Sequence, residues 1–219
     1  MRISENIKRK KAEIPEEVTL VAISKTKPES DILEAYNTGH RVFGENKIQE
    51  MTEKWEQLPK DIKWHMVGHV QRNKVKYMAE FVDLIHAVDS LKLLKEIEKQ
   101  AEKYNRTIPC LLQIKIAEED TKYGIDVDEA KSILQSDAYR KMSHVKIVGL
   151  MGMATLTEKE EKIRKEFSFL KTTFEELKSR YDSFTTLSMG MSGDYKIAIE
   201  CGSTIIRVGS SIFGERNYN

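Results

Sequence analysis

With 219 residues, 36 Lys and Arg against 35 Asp and Glu, and only two cysteines, the chain can bury a sizeable core and needs no disulfide to hold it. A formal net charge of +1 offers none of the one-sided basic field that non-specific polynucleotide binding uses, so nucleic acid is not an expected partner. No run approaches the ~18 apolar residues of a membrane span, the polar, acidic N-terminus is unlike a signal or transit peptide, and Cys110 and Cys201 fit no CxxC or CxxH spacing, so the expectation is a cytoplasmic protein without a membrane segment or a structural zinc.

In chain order, a helix is expected over residues 3–14, where the "KRKK" run reads as a solvated face. From there, short apolar runs alternate with amphipathic ones to the end. A strand over 19–24 leads to a helix over 30–37, stopped by Gly39. Strand 41–44 leads to helix 47–57, strand 63–67 to helix 71–79, and strand 84–88 to helix 91–104. Strand 110–115 leads to helix 127–134, with Asp126 and Glu129 at capping-box spacing. Strand 146–151 leads to a long helix over 159–181, with Thr157 and Glu160 at the same spacing. Strands 186–188 and 205–208 flank a short helix over 194–200. The helix stripes, such as Ile163, Phe167, Leu170 and Phe174, are core rather than cofactor boxes.

Eight strands with intervening helices and no linker predict one domain over 1–219, an α/β single (β/α)8 TIM-type barrel with an extra N-terminal helix. An open doubly wound sheet competes, but no GxGxxG follows the first strand, and "GLMGM" lacks that spacing.

Barrel chemistry collects at the C-terminal strand ends. Strand parity places Thr19, Val21, Ile23 and Lys25 on the inward face, so Lys25 points into the mouth. A desolvated lysine has a lowered pKa and can attack a carbonyl to form an imine; the competing reading is an ion pair with Glu45 or another loop carboxylate. Lys27, before Pro28, is expected at the surface. At the seventh and eighth strand ends, "GMSGD" and "RVGSSIFG" offer small residues that let backbone N–H groups approach an anion, with hydroxyls from Ser192, Ser210 and Ser211. The alternative is glycines that only turn the chain and serines that only cap a helix. An imine-forming lysine and a phosphate cradle match the two ends of pyridoxal 5′-phosphate, and Arg207, one alternation before Gly209, could reach the ring nitrogen between them.

The segments "VAISKTKP", "FGENKIQE", "WHMVGHVQRNK", "TKYGI", "GLMGMAT", "LSMGMSGD" and "GSTIIRVGSSIFGER" resemble, in order and spacing, those of the pyridoxal phosphate homeostasis protein family, whose members are barrels similar to the alanine racemase N-terminal domain. The resemblance implies that Lys25 carries pyridoxal phosphate and that Ser192, Gly209 and Ser210 hold its phosphate. It also implies that Arg207 faces the ring nitrogen and Asn46 lies near the ring hydroxyl. Lys47, Arg72 and Ser210 depart from the commonest residues at their motif positions.

An arginine at the ring nitrogen disfavours its protonation and makes the ring a poorer electron sink. The stretch after the eighth strand is too short for the second domain that gives racemases their tyrosine acid. The favoured expectation is therefore a monomeric carrier that holds the cofactor reversibly, supports vitamin B6 and amino-acid homeostasis, and passes the cofactor to apo-enzymes. The alternatives are a racemase or decarboxylase using His65, His69 or His86 as base, and an aldolase acting on a phosphorylated sugar.

Overall fold

A computed structural model of the chain describes residues 2–118 and 123–214. Its eight parallel strands, β1 (Thr19–Ile23), β2 (Val42–Glu45), β3 (Lys63–Met66), β4 (Val82–Val88), β5 (Ile108–Gln113), β6 (Val145–Met151), β7 (Thr186–Ser188) and β8 (Ile205–Val208), close into a barrel in sequence order. Closure runs through the β1–β8 register, with Thr19 opposite Ile205 and Val21 opposite Arg207.

Helices wrap the outside: α1 (Ile3–Glu13), α2 (Glu29–Tyr36), α3 (Ile48–Gln57), α4 (Leu91–Lys103), α5 (Val127–Gln135), α6 (Asp137–Arg140), α7 (Glu160–Lys178), α8 (Tyr195–Glu200) and α9 (Ser210–Phe213). The N-terminal helix α1 packs on α2 and α9, covering the seam between first and last strands. Asn6 there donates to the Ile212 carbonyl at 2.9 Å, and Lys10 to the Tyr195 hydroxyl at 2.9 Å.

Strand alternation separates two buried layers. Outward residues such as Phe43, Trp64 and Ile85 meet the helix stripes, including Phe167, Leu170 and Phe174 of α7. Each such fully buried side chain contributes about 1.5–3 kcal/mol by leaving water. Inward residues Val21, Leu84, Ala87, Leu111, Met151 and Ile205 form a smaller plug.

Three details depart from the sequence reading. The segment expected as helix 71–79 is a 3-10 helix, Arg72–Tyr77. The short helices α6 and α9 were not expected, being too brief to carry a periodic stripe. Thr157 does not cap α7: Lys159 is its N-cap, and the Thr157 hydroxyl accepts from the Lys159 N–H at 3.2 Å. The other two boundary signals hold, since Asp126 accepts from the Glu129 N–H at 2.7 Å and Gly39 takes φ +87° beyond α2.

Strand register also shifts between β3 and β4, where Trp64 faces Val82 but His65 faces Leu84. Asp83 is the extra residue in that bulge, and a bulge re-aims the side chain it carries.

Candidate cofactor-binding cleft

At the C-terminal ends of the strands lies a cleft of about 650 Å³. All six candidate residues line it: Lys25 after β1, Asn46 after β2, Ser192 after β7, and Arg207, Gly209 and Ser210 on and after β8.

Lys25 sits between two residues that a buried polar cluster holds. Ser24 donates its hydroxyl to Glu45 Oε1 at 2.7 Å, while its carbonyl accepts from Lys54 Nζ at 2.8 Å. On the other side, the Thr26 N–H donates to Glu50 Oε1 at 2.6 Å, and Thr26 takes φ +64°, costly for a β-branched residue. Lys54 joins the two carboxylates, 2.8 Å from Glu45 and 2.7 Å from Glu50. The ion pair weighed between Lys25 and Glu45 is therefore not formed; Glu45 faces the helix layer and takes Lys54 and Ser24 as partners. Burial pushes the Glu45 carboxyl up to about 7, with the Lys54 ammonium opposing the rise. Lys27 also differs from its expected surface position, for it is half-buried, lines the cleft and donates to the Phe213 carbonyl at 2.9 Å.

Beside the end of β1 that carries Lys25, the loops after β7 and β8 are tied together. The Gly209 N–H donates to Ser192 Oγ at 3.2 Å, and the Arg207 N–H to the Gly190 carbonyl at 2.9 Å. Among the described residues, the Ser211 hydroxyl is buried without a partner. The described lining carries three cationic side chains, Lys25, Lys27 and Arg207, against one carboxylate, Asp194, whose Oδ1 already accepts from the Met191 N–H at 2.5 Å. This donor set fits an anionic ligand bearing an electrophilic carbon.

Arg207 is 4% exposed and held at two points, with NH1 donating to Ser188 Oγ at 2.6 Å and NH2 to the Gly152 carbonyl at 3.1 Å. Burial lowers its pKa to about 10, so it remains a cation at neutral pH.

Of the three histidines proposed as bases, His69 lines the cleft, whereas His65 and His86 are buried inside the barrel. The His69 ring stacks on Tyr123 with centroids 5.1 Å apart, forming a rim that sequence reasoning did not assemble, because the two rings come from different loops. Thr155 also lies outside the candidates that the sequence singled out. Its N–H and hydroxyl both donate to the buried Glu166 of α7 at 2.7 Å, which fixes the loop after β6 in the cleft wall. Close approach shapes the rim as well, since a Cβ on Gly68 would fall 2.3 Å from the Asn46 carbonyl oxygen. Thr121 and Lys122 of "TKYGI", and Glu215 and Arg216 of the last motif, lie outside the described residues.

The family model for the alanine racemase N-terminal domain matches residues 1–217. A pyridoxal phosphate homeostasis protein of Aquifex aeolicus is 40% identical over 201 residues, covering 91% of this chain and 87% of that protein. The Escherichia coli K12 protein of the same name is 36% identical over 212 residues, covering 94% and 88%. The chain belongs to the pyridoxal phosphate homeostasis protein family. PipY of Synechococcus elongatus has the same fold without PLP, at TM-score 0.91 and 35% identity, covering 97% of this chain and all (100%) of that one. With PLP bound, PipY aligns at TM-score 0.88 and 34% identity, over 97% and 100%. An alanine racemase of Clostridium difficile shares the fold at TM-score 0.77 and 12% identity, with 58% of its length covered.

Proposed function

We propose that this chain is a single-domain carrier that holds pyridoxal 5′-phosphate covalently on Lys25 and contributes to vitamin B6 and amino-acid homeostasis. The observation that carries the reading is the convergence of Lys25, Arg207 and the Ser192–Gly209 junction on one cleft. PipY, one of the family's solved structures, is described with PLP bound.

When bound, the cofactor supplies an aldehyde that condenses with an amine and a phosphate that anchors it. Lys25 presents the amine, its backbone held through Ser24 and Thr26. Ser192 and the Gly209–Ser210 backbone, which line the cleft, would hold the phosphate. Arg207, held in place by Ser188, would present a cation to the ring nitrogen and disfavour its protonation, and Asn46 in the cleft wall would meet the ring hydroxyl. Arg207 thereby favours holding the cofactor over using it as an electron sink. The carrier works in the cytoplasm as a monomer and passes the cofactor to apo-enzymes; among the described residues no helix is long and apolar enough to cross a membrane.

Replacing Lys25 with Ala tests the attachment. The expected result is complete loss of the long-wavelength absorbance of the lysine-bound cofactor, with unchanged circular dichroism. The enzyme alternative draws on His69, the histidine in the cleft lining. Incubation with L-amino acids in deuterated water separates the two readings, because a carrier gives no steady α-deuteration and a racemase does.

A further inference from the structure

Inside the barrel a file of polar side chains crosses the apolar plug. Asp83 Oδ2 lies 3.5 Å from His65 Nε2, and its side chain is 46% exposed near the N-terminal end of β4, away from the cleft. His65 Nδ1 is 2.9 Å from His86 Nε2, and His86 Nδ1 is 2.9 Å from Ser188 Oγ. Ser188 in turn meets Arg207 NH1 at 2.6 Å. We propose that Asp83, His65, His86 and Ser188 form a one-way hydrogen-bonded column, its direction set at Asp83, that positions the Arg207 guanidinium in the cleft wall.

The direction follows from what each group can do. A guanidinium only donates, so Ser188 Oγ accepts from Arg207 and has its own hydrogen left for His86 Nδ1. With Nδ1 accepting, a neutral His86 carries its proton on Nε2 and donates to His65 Nδ1. His65 then carries its proton on Nε2, where the Asp83 carboxylate accepts it. Every bond is satisfied with both imidazoles neutral, and burial pushes His86 well below its ordinary pKa. Reversing the file would set an unprotonated His65 Nε2 against a carboxylate and leave the Ser188 hydrogen without its histidine acceptor. Asp83 can reach inward because it is the bulge residue between Val82 and Leu84. Arg207, pinned by this file and by the Gly152 carbonyl, cannot swing with its side-chain torsions.

The link from Arg207 to the cofactor rests on the carrier reading; the file itself does not. Nitrogen NMR of the ligand-free protein labelled at histidine and arginine is expected to show His65 and His86 both as Nε2–H tautomers. It should also show a slowly rotating Arg207 guanidinium. In Asp83→Ala, His86 should shift toward the Nδ1–H form and the guanidinium should loosen. Asp83→Asn, whose carbonyl can still accept from His65, should restore both. Pyridoxal phosphate affinity is expected to fall about tenfold in the alanine variant and to recover in the asparagine one, in line with the couplings seen through packed networks. An Nδ1–H tautomer for His86 in wild type, or tautomers indifferent to Asp83→Ala, would overturn the column. Shifted tautomers with a rigid guanidinium and unchanged affinity would overturn its positioning role. A wild type that takes up no cofactor would sink the carrier reading instead, leaving the column to be decided by the ligand-free spectra.

Discussion

Two buried polar clusters flank the cleft, and they solve the same problem in opposite ways. The cluster behind Lys25 is ionic, with Glu45 and Lys54 at 0% and 7% side-chain exposure and a second carboxylate, Glu50, at the edge. The file behind Arg207 carries its hydrogen bonds through neutral imidazoles and a hydroxyl, with charges only at its ends. Buried charges must be paired and buried neutral groups must be hydrogen-bonded, and each cluster meets one requirement. The difference shows where position matters. The ionic clamp holds the backbone on either side of Lys25 and leaves its side chain to the cleft, whereas the file behind Arg207 holds a side chain directly.

The largest expected effect comes from breaking the ionic cluster. Lys54→Met leaves Glu45 buried without its cation and is expected to cost about 3 kcal/mol in urea unfolding, while adding Glu45→Gln should recover most of that loss. Recovery would establish that the cost is the stranded carboxyl and not the lost packing. Next, Ser188→Ala strands His86 Nδ1 and one Arg207 donor and should cost about 1–3 kcal/mol. Its spectroscopic effect should be confined to the column, with the Lys25 attachment kept.

The smallest effects are in pH dependence, and the two kinds of cluster should have opposite signs. Burial raises the Glu45 carboxyl to about 7, so the fold favours its neutral form. Its contribution is fully present below the ordinary carboxylate value and is lost as pH rises through about 7. Buried imidazoles behave oppositely. His40, lowered to about 4 by burial, and His86, which burial holds well below its ordinary value, contribute stability above the ordinary histidine value of about 6.5 that is lost as pH falls. Unfolding midpoints from pH 4 to 8 should therefore gain a steeper alkaline decline in wild type than in Glu45→Gln. Parallel curves would show that Glu45 is ionised throughout.

Much of this was legible in the residues. Short apolar runs marked all eight strands, and strand parity aimed Lys25 and Arg207 inward, because both signals are local and need no knowledge of neighbours. The clusters were not legible, since they depend on register. Asp83 faces inward only because β4 slips one residue against β3, and nothing within β4 itself announces the slip. Lys54 is one of several charges in helix 47–57 and no local pattern singles it out, yet it is 6% exposed. Glu45 was noticed as a partner for a lysine, but its strand parity turns it away from Lys25 and toward Lys54. The helix α9 escaped because four residues following a glycine carry no periodic signal.

The most direct measurement is mass spectrometry of the native protein loaded with pyridoxal phosphate, taken before and after borohydride reduction and followed by peptide mapping. A single reduced adduct on the peptide containing Lys25, absent from the Lys25→Ala variant, is the expected result. Adduct on Lys27 or Lys115 with Lys25 unmodified, or no adduct at all under saturating cofactor, would contradict it.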